Sequence, residues 1–428
     1  MNVLFIEAEE TFYMDVRTKM LKRWVYLGEI ATFIGKKVEK VKVMDCIDSK
    51  ISHCEILKEV ENTKYDLICC LTRIETLNSM IKLIPLLKTV SPKTKILIYG
   101  DMPCMFENFI KENINGIDAI VKSGDWDLSI ANYIDYISKK TNKLFGIMVK
   151  ENDEWKDYSK EKSIENFNHW CFTELDENIV NVELYKSLRA NQVVISVSRG
   201  CPYNCKFCSA VATFKNKDRR RDIHEIVEYM KKYKDKVSLF KLFSPTFTYD
   251  EKWVTDFCKL IIKENLKVNW EVTSRPDCLQ NENLIKIMAE AGCSQISVGV
   301  ETIDRISNME LNKFRDIELY ESKLVNMFRI ANKYNVKIYV LLMIGIKGQT
   351  KENIYNSIKF LKKNGSSRIK ISAYSPRQEL IKKDSENKLT IEDINKMDKR
   401  TYINYLPKGL NEKEFLDLIY NNELLKKI

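Results

Sequence analysis

The most reactive set of residues in this sequence is a group of three closely spaced cysteines. Cys201, Cys205 and Cys208 follow the pattern C-x3-C-x2-C within the stretch SRGCPYNCKFC. Thiolates at this spacing can each bind a different iron atom of a [4Fe–4S] cubane. The fourth iron would then lack a protein ligand, and an open coordination position lets a metal centre bind a reactant. The spacing therefore predicts a catalytic iron–sulfur cluster.

A structural zinc site is the alternative interpretation of the same three cysteines. Its fourth ligand would have to be His224 or a distant cysteine. Structural zinc sites usually draw on paired C-x2-C or histidine motifs, and no such partner lies at zinc-like spacing in this sequence. The sequence therefore favours the cluster over zinc.

The three cysteines follow the first strand of a regular alternation of strands and helices. Six runs of strand length are separated by helix-like segments, and the runs are Val193–Ser198, Leu239–Phe243, Asn269–Thr273, Gln295–Gly299, Lys337–Met343 and Arg368–Ser372. This alternation predicts a partial (β/α)6 barrel over residues 188–376. Catalytic residues of parallel barrels lie at the carboxyl ends of the strands, which is where the cysteines stand.

With this loop and this barrel, the sequence resembles the radical S-adenosylmethionine (SAM) superfamily. The resemblance implies that the cluster binds SAM and cleaves it reductively to begin radical chemistry. Phe207 matches the aromatic residue that lies near the adenine of SAM in that family, and Gly345 lies in a stretch, GIKGQT, that is similar to the family's G-x-P-G-x-T turn. The other implied SAM contacts are polar and suit its hydroxyl, ammonium and carboxylate groups: Ser244, Glu271, Arg275, Glu301 and Lys313.

The N-terminal part of the chain has a second strand–helix alternation. Short apolar runs such as Val3–Ile6, Leu67–Leu71 and Ile96–Tyr99 have strand length, and helix-like segments separate them. We therefore expect an α/β fold with a doubly wound, Rossmann-like domain over residues 1–141. A polar stretch over 142–187 is predicted to be a linker, and residues 377–428 are predicted to form a mainly helical C-terminal region.

A doubly wound domain before a radical SAM barrel resembles the cobalamin-binding subfamily, whose members often methylate unactivated carbon or phosphorus. The resemblance implies cobalamin contacts at Arg73, Gly100, Asp101 and Gly124. Asp101 stands where relatives commonly have a second glycine, and a charged side chain would crowd a flat macrocycle. The D-x-H-x-x-G motif is absent from the sequence. Cobalamin binding is therefore left open by the sequence.

Two radical reactions remain open at this point. One is cobalamin-dependent methylation. In the other, the N-terminal domain is vestigial, and the radical drives epimerisation, cyclisation or rearrangement with Cys278, Tyr374 or Cys293 as a hydrogen donor. A tRNA methylthiotransferase is disfavoured, because Cys46, Cys70 and Cys104 lack a first-strand partner. A non-catalytic metal module that binds nucleic acid would rely on the basic run Arg219–Arg221.

The composition sets the outer limits of these interpretations. The 428 residues carry a net charge of +10 and twelve cysteines. The sequence begins without a signal-peptide pattern and has no apolar run long enough to span a membrane, so we expect a cytoplasmic protein with reduced thiols. The expected partners are a small-molecule or peptide substrate and an electron donor such as flavodoxin or ferredoxin. Nucleic acid and membranes are not expected.

Overall fold

The computed structural model describes residues 1–9, 27–46, 51–159, 192–214, 216–314, 316, 318–397 and 402–420. The chain separates into two compact units. The described residues within Met1–Ala190, Ala212–Lys215 and Ile381–Thr390 form the first unit, and the remaining ones form the second. The fold is α/β, with one parallel sheet at the centre of each unit, which confirms the predicted fold class.

The sheet of the first unit has the strand order β2-β1-β3-β4-β5-β6-β7. The first five strands in the sequence run parallel, and β6 and β7 pair antiparallel at one edge. The strands are β1 (Asn2–Glu7), β2 (Lys40–Asp45), β3 (Leu67–Leu71), β4 (Lys95–Tyr99), β5 (Ala119–Val121), β6 (Ile147–Glu151) and β7 (Glu154–Asp157). The strand order reverses between β1 and β3, and doubly wound sheets bind ligands at such a switch point.

Helices pack on this sheet because its central strands are apolar on both faces. All five residues of β3 are buried, as expected for a parallel strand covered on two sides. The helices are α1 (Glu29–Gly35), α2 (His53–Asn62), α3 (Leu77–Val90), α4 (Asp101–Met105), α5 (Glu107–Asn113) and α6 (Trp126–Ile137). A capping box between Ser52 and Glu55 fixes the start of α2.

The hairpin β6–β7 lies within the predicted linker, 142–187, where the polar sequence is also compatible with a small hairpin. Ala119–Val121 of β5 pairs with β6, so the hairpin extends the sheet of the first unit. Polar, charged residues conceal this strand pair in the sequence, since only Ile147, Met148 and Val149 are buried in it. The rest of the predicted linker, 160–187, lies outside the described residues. The predicted domain boundaries stay predictions.

The second unit contains a six-stranded parallel sheet in the order β8-β11-β12-β13-β14-β15. Its strands are β8 (Gln192–Ser196), β11 (Leu239–Phe243), β12 (Trp270–Ser274), β13 (Cys293–Glu301), β14 (Lys337–Ile344) and β15 (Arg368–Ala373), and a two-stranded ribbon joins β9 (Ser198–Arg199) to β10 (Arg219–Arg220). The helices are α8 (Ile223–Tyr233), α9 (Glu251–Lys263), α10 (Glu282–Glu290), α11 (Arg305–Leu311), α12 (Tyr320–Lys333) and α13 (Lys351–Lys363), and they are preceded by the short α7 (Ala210–Phe214), whose last three residues belong to the first unit.

Local chemistry explains why this alternation folds as predicted. Side chains of Asp250, Asn281 and Thr350 cap the helices α9, α10 and α13 at their first turns. Gly292 ends α10 with a φ of 94°, and a side chain there would lie 2.0 Å from the carbonyl oxygen of Val268. Only glycine fits that conformation and that space.

The C-terminal region is helical where it is described, with α14 (Arg377–Ser385), α15 (Ile391–Asn395) and α16 (Glu412–Tyr420). Asp384 belongs to the first unit, where its carboxylate accepts hydrogen bonds from the backbone N–H groups of Asn108 and Phe109. Across the described ranges, no helix is both long and apolar enough to cross a membrane.

Candidate active site

The loop that carries the three cysteines begins directly after the ribbon strand β9. Gly200 turns the chain at this point with a φ of 89°, and a Cβ atom there would lie 1.7 Å from the carbonyl oxygen of Lys217. Any side chain at this position would force the two backbones apart. The backbone N–H of Lys206 donates to the carbonyl oxygen of Leu311, and the Asn312 side chain donates to the carbonyl oxygen of Asn204. The loop is therefore anchored at its beginning and at its middle.

Each of the three thiols has a polar neighbour. The Cys201 Sγ lies 3.5 Å from the Thr246 hydroxyl, the Cys208 Sγ accepts from the backbone N–H of Ala210 at 3.4 Å, and the Cys205 Sγ accepts from the Arg275 guanidinium at 3.4 Å. Hydrogen bonds from such donors stabilise thiolates, the form in which cysteine binds iron. The donor set therefore fits a thiolate-ligated cluster.

Cys205 is the most buried of the three cysteines, and nearby positive charges oppose the effect of this burial on its pKa. Burial raises the pKa of the Cys205 thiol, while the positive charges of Lys313 and Arg275 act to lower it. These two cations make negative charge on the sulfur less costly. Negative charge is what a cluster adds at this position.

Arg275 is held on several sides. Its Nε and Nη2 atoms donate to the two carboxylate oxygens of Asp277 at 2.9 Å each, and Nη2 also donates to the carbonyl oxygen of Lys313 at 2.7 Å. Its guanidinium carbon lies 3.7 Å from the centroid of the Tyr203 ring. Burial acts to lower the pKa of Arg275, but the hydrogen bonds to Asp277 and the negative charges of Asp277, Cys205 and Tyr203 together raise it. The guanidinium is therefore permanently charged and fixed in orientation.

Glu301 and Lys313 form a buried pair at the carboxyl edge of the barrel. The Lys313 Nζ lies 3.5 Å from Oε1 of Glu301, and both residues are at most 8% exposed. The same ammonium lies 5.7 Å from the centroid of the Phe207 ring. The structure thus brings together three of the residues predicted to contact SAM. Glu301 has a φ of 65°, a strained conformation for a side chain of this size, at a break in the register of β13.

Ser244 supports the loop that carries the cysteines. It is buried at the end of β11, and its hydroxyl accepts a hydrogen bond of 2.7 Å from the Ser198 hydroxyl. Ser198 lies two residues before Gly200, so this contact joins the second barrel strand to the start of the loop. The structure therefore gives Ser244 a bracing position, which the predicted contact with SAM did not include.

Glu271 has partners other than the predicted ones. It is the second residue of β12, and its two carboxylate oxygens bind the Lys241 ammonium and the Gln295 amide, each at 2.9 Å. Those two residues are its direct neighbours on the adjacent strands. In parallel barrels ligands gather at the carboxyl ends of the strands, and Glu271 stands near the opposite end of its strand. Both of its oxygens are already satisfied there by the sheet.

The surroundings of Gly345 are also filled by protein atoms of the second unit. It has a φ of 77°, and a Cβ atom there would lie 3.0 Å from the Tyr405 carbonyl oxygen and 3.1 Å from the Phe415 ring. Its N–H donates to the Gln349 side chain at 2.9 Å. The G-x-x-G-x-T turn is therefore closed by its own glutamine, and Gly345 provides a tight approach of backbone to the C-terminal region.

The three predicted hydrogen donors occupy different places. Cys293 is buried at the first residue of β13, at the edge of the sheet remote from the cysteine loop. Tyr374 packs in one apolar cluster with Phe207 and Tyr405. The Cys278 Sγ lies 3.1 Å from the Tyr203 hydroxyl, and burial raises the pKa of this thiol to about 11. Tyr374 and Cys278 are thus the ones associated with the cysteine loop.

The alternatives from the sequence find little support in the geometry. Arg219 and Arg221 are buried, and Arg220 is bound to Asp218 and to the carbonyl oxygen of Phe247, so this basic run is not a surface for phosphates. His224 is exposed. Within the described residues, no group of three or more His, Cys, Asp and Glu side chains is close enough to hold a single metal ion. A cubane differs in placing each thiolate on its own iron.

Three described cysteines of the first unit, Cys46, Cys70 and Cys104, have raised thiol pKa values. Burial is the main reason that the pKa of Cys46, Cys70 and Cys104 is raised to about 12 in each case. A methylthiotransferase needs a second set of three thiolates in this part of the chain. The described thiols do not provide it.

A buried ion-pair group lies at the switch point of the first sheet. Glu7 ends β1 and is 0% exposed, and Arg73, which follows β3, is 1% exposed. The Arg73 guanidinium donates to Oε1 of Glu7 and, at 3.0 Å, to Glu75. The second oxygen of Glu7 is buried and has no hydrogen-bond partner among the described residues. A carboxylate oxygen left in this state is costly unless a further group binds it.

The other residues predicted to contact cobalamin are covered by protein atoms to different degrees. Gly100 has a φ of 125°, and a Cβ there would lie 2.4 Å from the carbonyl oxygen of Thr72. A Cβ on Gly124 would lie 2.2 Å from the Phe214 ring and 2.6 Å from the carbonyl oxygen of Thr213. Asp101 begins helix α4 and is partly buried. Gly124 thus serves the packing of Phe214, and Arg73 stands at the switch point beside the Glu7 carboxylate.

Sequence reasoning missed several residues of the site. Thr246, Asp277 and Ser198 each contact a cysteine, Arg275 or Ser244, and each lies two or three residues from a predicted site residue. Their signal was the presence of short polar residues beside the motif positions. Arg377, whose guanidinium donates to the carbonyl oxygen of Phe207 at 3.3 Å, comes from a distant part of the chain and had no such signal.

Comparison with known proteins agrees with this geometry. The family model described as the radical SAM superfamily matches residues 195–361, which include the cysteine loop and Glu301. Residues 195–361 of the chain are therefore a radical SAM domain. The chain is an enzyme, and this family uses a [4Fe–4S] cluster and SAM.

Several curated relatives of this radical SAM enzyme match over most of its length. It is 22% identical over 341 residues to "Uncharacterized methyltransferase PH0819" of Pyrococcus horikoshii, covering 79% of this chain and 72% of that protein. It is 22% identical over 400 residues to the anaerobic magnesium-protoporphyrin IX monomethyl ester cyclase of Rubrivivax gelatinosus, covering 89% of this chain and 69% of the relative.

Solved structures share the fold of both units. The methyltransferase TsrM from Kitasatospora setae, with cobalamin and a [4Fe–4S] cluster bound, superposes with a TM-score of 0.71 at 14% identity, covering 89% of this chain and 77% of that one. The cobalamin-dependent SAM radical enzyme OxsB, with aqua-cobalamin bound, has a TM-score of 0.69 at 14% identity. The match covers 100% of this chain and 62% of OxsB. At this identity the likeness concerns the fold.

Proposed function

We propose that this enzyme uses cobalamin to methylate an unactivated carbon of a small-molecule or peptide substrate. The observation that carries the cobalamin part is a buried oxygen of Glu7 beside Arg73, at the switch point of the first sheet, that has no hydrogen-bond partner within the described part of the chain. The rim of cobalamin carries carboxamide groups, whose N–H donors suit such an oxygen. The names of the relatives and the ligands of TsrM and OxsB support the same proposal.

Each group of the barrel has one task in this proposal. Cys201, Cys205 and Cys208 would hold the [4Fe–4S] cluster, which would supply the electron for the reductive cleavage of SAM. Lys313 pairs with the methionine carboxylate, and Glu301 holds Lys313 in place and accepts from the ammonium or the ribose hydroxyls. Phe207 packs against the adenine. The electron is supplied by a flavodoxin or a ferredoxin, in the cytoplasm.

A reconstitution experiment tests the radical part. The chain is loaded with iron and sulfide without oxygen, reduced with dithionite and given SAM, and the 5′-deoxyadenosine formed is quantified. We expect 5′-deoxyadenosine together with methionine, and we expect Cys201→Ala to lose both the bound iron and this product. Cys54→Ala, which removes an exposed thiol, is the matched control and should behave as the native chain. Absence of 5′-deoxyadenosine from the native chain contradicts the proposal.

A binding experiment tests the cobalamin part. The protein is incubated with hydroxocobalamin and separated from free ligand, and the retained absorbance spectrum is recorded. We expect retention, weakened about tenfold by Glu7→Gln, which corresponds to about 1.4 kcal/mol for a lost charge-assisted hydrogen bond. Glu55→Gln, at an exposed position of helix α2, is the control and should retain cobalamin fully.

The competing proposal is a radical reaction without cobalamin, such as an epimerisation or a cyclisation. The tight packing of Phe214 over Gly124 favours it, because one of the four predicted contacts is filled by protein. In this case no chromophore is retained, while 5′-deoxyadenosine still forms. Tyr374 and Cys278 are then the candidate hydrogen donors.

A further inference from the structure

Arg275 connects the cysteine loop to the residue proposed to bind the SAM carboxylate. Its Nη1 donates to the Cys205 Sγ at 3.4 Å, and its Nη2 donates to the carbonyl oxygen of Lys313 at 2.7 Å. Both contacts bridge long stretches of sequence. A side chain that only bound SAM would direct its donors into the barrel, whereas each of these donors is already engaged by protein.

The orientation of the guanidinium is fixed by two further contacts. Asp277 binds it with both carboxylate oxygens at 2.9 Å, and the Tyr203 ring covers one face at 3.7 Å. Bidentate pairing of this kind sets the plane of the guanidinium as well as its position. The stacked ring excludes water from that face, which strengthens the field of the cation at the sulfur. Asp277 is more exposed than Arg275, so its opposing charge is screened more by solvent.

We infer that Arg275 is a positioning residue that raises the reduction potential of the cluster at Cys201, Cys205 and Cys208. Reduction adds one electron to the cluster and its thiolates. A fixed positive charge and a hydrogen bond to a ligand sulfur stabilise that added electron, and both are established ways in which a protein tunes iron–sulfur potentials. This inference rests on the proposed cluster but concerns a property other than catalysis, and it gives Arg275 a role different from the predicted SAM contact.

The test is a potentiometric titration of the reconstituted chain in the absence of SAM. The reduced fraction is followed by electron paramagnetic resonance, and iron per chain is measured in parallel. Relative to the native chain, we expect Arg275→Gln to lower the ratio of reduced to oxidised cluster at a fixed potential about tenfold, a fall of about 59 mV in midpoint for one electron. Arg275→Lys keeps the positive charge but lacks the paired N–H donors of the guanidinium, so its midpoint should lie between those of the native chain and Arg275→Gln. Arg329→Gln, which removes an exposed arginine on α12, should not change the midpoint.

The outcomes separate the roles of Arg275. A lowered midpoint with unchanged affinity of the oxidised protein for SAM, measured by equilibrium dialysis, supports the inference. An unchanged midpoint overturns it, and weakened SAM affinity beside an unchanged midpoint makes Arg275 a SAM contact. Loss of iron from both Arg275→Gln and Arg275→Lys also overturns it, because Arg275 then only supports the loop. If Arg275→Gln does not fold, the midpoint of Arg275→Lys decides alone. If the native chain binds no cluster, the proposed function fails as well, which the iron measurement on the native chain reveals separately.

Discussion

Gly299 leaves the space that the carboxylate of Glu301 occupies. A Cβ atom on Gly299 would lie 2.6 Å from Oε1 of Glu301 and 3.1 Å from the Lys313 ammonium. The strained φ of Glu301 places its side chain in the space that a side chain on Gly299 would fill. Gly299 lies two residues earlier on the same strand. The ion pair at the carboxyl edge of the barrel thus depends on the absence of a side chain at Gly299.

Replacing this glycine should therefore impair SAM binding more than folding. In Gly299→Ala the new methyl group displaces the flexible end of Glu301, so we expect SAM affinity to fall about tenfold, or about 1.4 kcal/mol. The free energy of unfolding should change by less than about 1 kcal/mol. Equilibrium dialysis and urea unfolding measure the two quantities. Ser297→Ala on the same strand is the control, and equal loss of affinity in both variants would refute this explanation.

Glu271 should show the opposite behaviour. Its carboxylate joins Lys241 and Gln295 across three strands, so Glu271→Gln leaves the Lys241 ammonium without its counter-ion in a partly buried place. We expect a loss of about 1–3 kcal/mol in the free energy of unfolding, with SAM affinity within about twofold of the native value. Urea unfolding and SAM dialysis check the pair of results. A normal stability with weakened SAM binding would restore the sequence-based assignment of Glu271.

Gly124 provides a test of packing in the first unit. In Gly124→Ala the methyl group meets the Phe214 ring and the Thr213 backbone, and overpacking of this kind costs about 1–3 kcal/mol. Adding Phe214→Ala removes the clash with the ring but not the clash with the Thr213 carbonyl oxygen. The double variant should therefore recover only part of the free energy of unfolding that the clash at Gly124→Ala costs. Urea unfolding of the three proteins measures this. Unchanged stability of Gly124→Ala would show that the space is open to a ligand.

Glu282 should make the barrel sensitive to acid. Its hydrogen bonds with Lys333, Tyr334 and Arg329 lower the pKa of this carboxyl to about 2. Because the folded-state pKa lies below the value of about 4.3 for an unfolded chain, the stabilisation is present above pH 4.3 and is lost as the pH falls toward 2. The melting temperature of Glu282→Gln should therefore fall less than that of the native chain over this interval. Glu290→Gln, at an exposed site on the same helix, should follow the native curve.

The sequence predicts the repeating elements of both units well because apolar periodicity and helix caps are local. Its limits are seen at Glu271 and Arg275. Whether a strand residue stands near the amino or the carboxyl end depends on where pairing with neighbours begins, and β12 starts at Trp270, one residue before Glu271. The bond from Arg275 to Cys205 joins residues far apart in the sequence. Neither relation leaves a local pattern.

The hairpin β6–β7 determines how the first unit could be isolated. Ala119–Val121 of β5 is fully buried, and a chain cut at residue 141 would leave its backbone donors and acceptors open along one side. Uncovered apolar edges of this kind recruit other chains and lead to aggregation. The outer strand, with the sequence EWKD, presents charges instead, and Lys40 and Lys42 do so at the opposite edge. A fragment ending beyond Asp157 therefore keeps a charged strand at each edge of the sheet, which opposes self-association.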